Sequence, residues 1–305
     1  MTIKKTYTIL GSGFVATHLA KKLMSLGEHV KILSRTPPLV SGPIHQFIEW
    51  TNVEDLKYKI KDNETIIHTI STNVPSAPMA NLHRDAFENI CINIQLLEHI
   101  CSLPNSNLIF ISSGGAVYGT PTKSIIDETH STNPVSSYGL TKLVVEKYLH
   151  LFRIHKALKY IVIRPSNLYG VGQNFNTPQG IISHILKAIL EKRPIEIWGE
   201  GNSLKDYLHI DDFTKALTKV VLKPNFDHPV LNLSSGYSSS INELISIIES
   251  LTNQDLKKKY LTEKKFDVPE ILIDSDKFRS IYKWNPKINI QLGIEKTIKH
   301  MNFNL

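Results

Sequence analysis

Cysteine is nearly absent: Cys91 and Cys101 are the only two in 305 residues. They fall on one expected helix and face different ways, so both read as reduced thiols of a cytosolic chain. No His-Glu-x-x-His motif or cysteine cluster accompanies the 13 histidines, and no metal site is expected. Long apolar runs are missing too. The short one ending at Gly11 is too brief for a signal-peptide core or a bilayer span, which points to a cytoplasmic protein with no membrane partner. Nor is there an acidic excess, since 35 Lys and Arg against 28 Asp and Glu leave a net charge of +7. The lysines are scattered, and the longest run, Lys257-Lys258-Lys259, has no interleaved aromatics, so a solvated basic surface is expected rather than a nucleic-acid partner. A positive cleft would still favour an anionic substrate.

What the chain does have is alternation. Strand-like runs at Tyr7 to Leu10, Val30 to Leu33, Ile44 to Ile48, Thr65 to Ile70, Leu108 to Ile111 and Tyr160 to Ile163 alternate with amphipathic stretches. Helices are expected over Phe14 to Leu26, Asn81 to Cys101 and Ser136 to His155. This is the pattern of an α/β fold, a doubly wound parallel sheet with helices on both faces. Beyond Arg164 the rhythm loosens, with helices expected near Gly180 to Lys192, Phe213 to Val221 and Ile241 to Leu251. That half reads as a smaller lobe closing over a cleft. The expected division is 1–165 for the binding core, completed by a helix and strand from about 208–235, with 166–207 and 236–305 forming the lobe.

Thr8 to Leu19 reads as a strand, a glycine turn and the start of a helix. Gly11 permits the tight turn, Gly13 lets the backbone approach a pyrophosphate, and Ala16 allows close helix–strand packing. With Phe14 and Val15, these residues present the helix N-terminus, whose unpaired amides and dipole favour an anion. The second strand ends Ser34-Arg35 instead of in the acidic residue that would bind a free ribose 2′-hydroxyl. Arg35 suits a 2′-phosphate, which leans toward NADP over NAD, although a solvent-facing loop arginine would look the same.

Tyr138 and Lys142 stand at i and i+4 and share a helix face. A phenol beside an ammonium can lose its proton nearer neutrality than its usual value of about 10, which suits an acid/base. By spacing alone roughly one such pair is expected by chance. Position raises its weight: the pair follows a strand ending Phe110-Ile111-Ser112-Ser113-Gly114-Gly115, and strand C-termini deliver residues to the crevice.

Taken in order, these residues resemble the extended short-chain dehydrogenase/reductase family, in its nucleotide-sugar epimerase and dehydratase branch. The likeness takes in Gly11 to Ala16, His68 ending a strand, Asn89, Ser112 to Gly119, Tyr138 with Lys142, and Arg164 to Gly170. It continues through Trp198 to Asp212, Asn232 to Gly236 and Lys264 to Asp267. The resemblance implies a Rossmann-like core with a smaller C-terminal substrate-binding lobe and a nicotinamide cofactor. It implies a nucleotide-diphosphate sugar near Asn167, Lys205 and Lys264, His68 beside the cofactor, and a homodimer formed through the helices at Asn81 to Cys101 and Ser136 to His155. Family members usually carry arginine at the two lysine positions, and lysine keeps the charge without the bidentate fork.

Three departures stand out. Leu10 and Ala16 occupy positions where the family normally has glycine, and the adenine-side aspartate is replaced around Thr51-Asn52. Gly114 occupies the place of the usual catalytic serine or threonine, leaving Ser113, Ser112, a substrate hydroxyl or a water to supply that group. Gly115 and Ala116 replace the Asp-Glu pair of the 4,6-dehydratases, which argues against elimination chemistry. Two enzyme readings remain: a nucleotide-sugar 4-epimerase with tightly held NAD, or an NADPH-dependent reductase of a nucleotide-linked 4-keto-6-deoxy sugar. A dinucleotide-sensing regulator that keeps the fold without catalysis is a third.

Overall fold

The computed structural model describes residues 5–38, 46–49, 52–73, 81–121, 123, 125–175, 180–262 and 270–301. The first half runs β1 (Thr6–Leu10), α1 (Phe14–Ser25), β2 (His29–Ser34), β3 (Gln46–Glu49), α2 (Val53–Lys59) and β4 (Glu64–His68). A rod of α3 (Leu82–Ala86), a π-helical turn (Phe87–Cys91) and α4 (Ile92–Cys101) follows, then β5 (Asn107–Ile111), α5 (Gly114–Val117), β6 (Ile125–Ile126), α6 (Ser137–Lys156) and β7 (Tyr160–Pro165). The second half holds β8 (Asn167–Tyr169), α7 (Ile181–Leu190), β9 (Ile195–Trp198), β10 (Leu204–His209), α8 (Ile210–Leu222) and β11 (Val230–Leu233). It ends with β12 (Ser238–Ser239), α9 (Ile241–Thr252), β13 (Lys258–Leu261), β14 (Glu270–Ile273), α10 (Asp276–Tyr282) and α11 (Ile290–His300).

Seven parallel strands form the main sheet in the order β11-β7-β5-β4-β1-β2-β3. The chain reverses direction between β1 and β4, and in such a sheet the crevice opens at that switch point, beyond the strand C-termini. Helices cover both faces, so the central strands are apolar without alternation: every residue of β5 and β7 is buried. On one face α1 and α8 pack over the sheet through Ala16, Leu19, Leu23, Phe213, Leu217 and Val220. The 3.6-residue spacing puts Ala16, Leu19, Ala20 and Leu23 on one stripe of α1, and Leu19→Ala would cost about 2–5 kcal/mol. The other face holds Leu96, Leu97 and Ile100 of α4 with Val145 and Leu149 of α6.

A second sheet, β12-β10-β14-β6 with β8 also paired to β10, carries the other lobe. Its helices α7, α9 and α11 close a third core around Ile185, Leu186, Ile245 and Ile294. A capping box between Ser240 and Glu243 starts α9. Because β6 pairs with β14, and β11 with β7, the two halves of the chain are interleaved.

Two expected elements change. The strand expected to reach Ile70 stops at His68: the Thr69 amide makes the last ladder bond, to the Leu10 carbonyl at 3.0 Å, and beyond Leu10 the partner strand turns away at Gly11. The expected Asn81 to Cys101 helix starts at Leu82 and carries a π-helical turn in its middle. For the strand expected from Ile44, residues 44 and 45 lie outside the described set. No described helix is long and apolar enough to cross a membrane. No three His, Cys, Asp or Glu side chains gather to hold a metal among the described residues.

Candidate active site

Gly11 turns the chain from β1 into α1 at φ +106, and an added Cβ would lie 2.8 Å from Thr69 Oγ1, so both backbone and packing select glycine. Gly13 is different: its φ is ordinary, and a Cβ there would meet nothing within 4 Å. Its missing side chain faces open space. Phe14 and Val15 begin α1, whose N-terminus has no side-chain cap and no acidic residue in its first turn. Those amides and the dipole favour an anion, so the turn fits a dinucleotide pyrophosphate.

At the end of β2 the buried Ser34 hydroxyl donates to Ser12 Oγ at 2.6 Å, and Ser12 Oγ lies 3.4 Å from Thr36 Oγ1. Arg35 is exposed, and its charge is felt by Glu88 on the π-helical turn. The sequence alone did not reveal this hydroxyl cluster, because Ser12 and Thr36 are brought together only by the β1–β2 pairing.

Ser136 caps α6 by accepting the Gly139 amide at 3.1 Å, which sets Tyr138 and Lys142 on the first two turns. Gly139 is required by packing, since a Cβ there would lie 2.5 Å from the Ala116 carbonyl oxygen. The Tyr138 phenol is hydrogen-bonded to the Ser113 side chain; in place of the lowering expected from the neighbouring ammonium, burial pushes its pKa up to about 12. Lys142 Nζ donates to the Ile111 carbonyl at 3.0 Å and lies 4.9 Å from the Phe110 ring centroid and 5.9 Å from that of Tyr138. Burial lowers its pKa to about 8, opposed by Glu146.

Ser112 and Ser113 separate cleanly. The Ser112 hydroxyl donates to the Glu146 carboxylate, whereas the Ser113 side chain meets Tyr138. Gly114 has no space for a side chain: a Cβ would lie 2.5 Å from Ile273 Cδ1 and 3.1 Å from the Arg164 carbonyl oxygen. Ile273 of β14 therefore fills the volume that a residue-114 side chain would need. Asn167 is exposed at the start of β8 and donates to the Asp206 carbonyl at 2.9 Å, and a Cβ on Gly115 would sit 3.5 Å from its Oδ1.

His68 is 3% exposed at the end of β4, with its pKa lowered to about 3 by burial and by Lys142, so it is neutral. The Asn93 side chain bonds to it. The loop after β4 is tied down by Asn89, which accepts the Thr72 amide at 3.0 Å, and by Asp85, which accepts from Asn73 at 3.0 Å and from Ser137 at 2.8 Å. Asp85 and Asn93 carry no sequence motif. Lys205 lies half-buried on β10; Lys264 falls outside the described residues.

The sequence pattern of the family described as "NAD dependent epimerase/dehydratase family" matches residues 8–234. A Methanocaldococcus jannaschii protein provisionally named UDP-glucose 4-epimerase is 30% identical over 96% of this chain and 97% of its own. An Escherichia coli dTDP-4-dehydro-6-deoxyglucose reductase is 31% identical over 77% of this chain and 74% of its own. Among solved structures, the UDP-glucose 4-epimerase of Thermotoga maritima with UDP-glucose superimposes with a TM-score of 0.87 at 26% identity, covering 97% of this chain and 98% of that one. The fold and its crevice define a doubly wound α/β protein built around a glycine turn and a Tyr-x-x-x-Lys helix. The chain belongs to the NAD dependent epimerase/dehydratase family.

Proposed function

We propose that this protein is a nucleotide-sugar epimerase, similar in design to UDP-sugar 4-epimerases. The observation that carries the reading is the assembly of Ser113, Tyr138 and Lys142 at the C-terminal edge of β5, a strand separated from β1 and its glycine turn by β4 alone. A nicotinamide dinucleotide supplies a two-electron acceptor and donor for the sugar carbon when bound. Gly11, Gly13, Phe14 and Val15 would hold its pyrophosphate, and His68 would stand on the nicotinamide side.

Tyr138 takes the proton of the sugar hydroxyl as the carbon is oxidised, with Ser113 holding the phenol in place. Burial raises the phenol and its bond to Ser113 opposes that; a Lys142 ammonium 5.9 Å from the ring centroid adds a positive charge that favours the phenolate. Lys205 and Lys264 retain the diphosphate while Asn167 meets the sugar. The oxidised sugar turns in the cleft, and Tyr138 then returns the proton. The lobe of 166–207 and 236–305 supplies the substrate side, and 1–165 with the helix and strand near 208–235 supplies the cofactor side.

We further propose a homodimer in the cytoplasm. Leu82 and Phe87 on α3 and the π-helical turn, and Leu140, Leu151 and Ile154 on α6, present large exposed apolar side chains on adjacent helices.

The test begins by denaturing the purified protein and identifying released dinucleotide by mass spectrometry, then following UDP-glucose and UDP-galactose interconversion by NMR. Stoichiometric NAD with interconversion is the expected result. Absence of both bound dinucleotide and turnover removes the reading.

A second reading has its own observation. Arg35 together with the Ser12, Ser34 and Thr36 hydroxyls forms a cluster suited to a 2′-phosphate, which would make the chain an NADPH-dependent reductase of a nucleotide-linked 4-keto-6-deoxy sugar. An empty site that prefers NADPH over NADH on titration selects this version.

A further inference from the structure

Glu146 stands four residues beyond Lys142 on α6, so the two side chains leave the helix on one face. It is buried, and other elements grip its carboxylate. The Ser112 hydroxyl at the end of β5 donates to it, and Arg164 of β7 donates through Nε at 3.1 Å and Nη2 at 2.5 Å. Arg164 continues inward to the Tyr118 hydroxyl at 2.9 Å, which donates to Asn232 Oδ1 at 2.7 Å. An ion pair that served packing alone would need only Arg164. Glu146 also reaches toward the site twice: through Ser112 to the neighbouring Ser113, and along the helix to Lys142.

Resting on the catalytic roles assigned above, we propose that Glu146 is a positioning residue: anchored by Ser112 and Arg164, it supplies the negative field that keeps Lys142 an ammonium beside Tyr138. Around Lys142 stand Tyr138 and Glu146 of α6, the Phe110 ring and Ile111 carbonyl of β5, and neutral His68 of β4. Around Glu146 stand Ser112, Arg164 and Tyr160. Among the described residues, Glu146 is the one anion acting on Lys142, and it opposes the burial that lowers that amine. The carboxylate therefore favours the charged form of Lys142 against its burial.

The experiment is an NMR titration of the full-length chain carrying 13Cε-lysine, with Lys142 assigned by the signal lost in K142R. In E146Q, which keeps a side chain able to bond Ser112, the Lys142 midpoint is expected to fall by about one pH unit, as for a charge one helical turn away in the protein interior. E146D should restore most of it, and R164M, which breaks the ion pair but leaves the carboxylate, should not lower it. The alkaline limb of turnover should move with the midpoint. If E146Q fails to fold, the E146L/R164M pair removes both buried charges together and should still lower the midpoint. An unchanged midpoint in a folded variant overturns the proposal. Loss of the epimerase and reductase readings would show instead as a native chain without dinucleotide or turnover, whatever Lys142 does.

Discussion

The Ser113 side chain is hydrogen-bonded to the Tyr138 phenol, while its neighbour Ser112 turns the opposite way to the Glu146 carboxylate. Adjacent residues in extended backbone point to opposite sides, so one serine faces the crevice and the other the interior. Ser113→Ala is expected to lower kcat about 10–100-fold with dinucleotide affinity unchanged. Ser112→Ala should cost about 1–3 kcal/mol of stability, because it leaves a buried carboxylate short of a donor. Steady-state kinetics and urea melts on both variants check this; equal kinetic losses would refute the division of roles.

Tyr138→Phe removes the only proton-transferring atom on that side chain while keeping its ring. Turnover should fall by at least about 10²-fold, and fluorescence titration should find dinucleotide binding within a small factor of the native chain. A variant that keeps native turnover removes the mechanism proposed here.

Gly114→Ser restores the hydroxyl common in the family but drives a Cβ into Ile273 Cδ1 at 2.5 Å. The expected cost is about 1–3 kcal/mol of overpacking. Trimming the obstacle in a Gly114→Ser/Ile273→Ala double variant should recover part of it, measured as the coupling energy in a double-mutant cycle. Additive losses would mean that Ile273 is not what closes position 114.

His68 is held neutral in the folded protein, with its pKa lowered from the ordinary 6.5 to about 3. The unfolded chain binds the proton more readily, so stability rises with pH between about 3 and 6.5 and falls as the solution is acidified through that window. The slope is about 1.4 kcal/mol per pH unit for one proton. His18 and His209 are lowered in the same direction by burial and add to the trend. His68→Gln should flatten the dependence by about one proton, read from denaturant midpoints between pH 4.5 and 7. An unaltered slope would place the titration elsewhere.

Much of this architecture was legible in the residues. The run Thr-Tyr-Thr-Ile-Leu, the Gly11 turn and the Ala16, Leu19, Leu23 stripe announce β1, the bend and α1, because burial on a strand or helix follows local periodicity. Helix α6 is similarly readable from the expected span Ser136 to His155 and from the i, i+4 pair Tyr138 and Lys142. Less local features were hidden. The π-helical turn at Phe87–Cys91 changes the helical phase around Asn89, and no residue in Phe-Glu-Asn-Ile-Cys signals it. The tie of Asp85 to Ser137 joins residues 52 positions apart.

The sequence by itself determined the parallel sheet, the glycine turn and the placement of a tyrosine and lysine on one helix face, since each depends on residues within one or two turns of chain. Tertiary structure alone decided which serine meets Tyr138, why residue 114 has no side chain, and where Glu146 sends its carboxylate. Those depend on Ile273, Arg164 and Tyr138, which reach Ser112 to Gly114 from β14, β7 and α6. Side chains so far apart in sequence compete for the same few cubic ångströms and the same donors only after the sheet has closed.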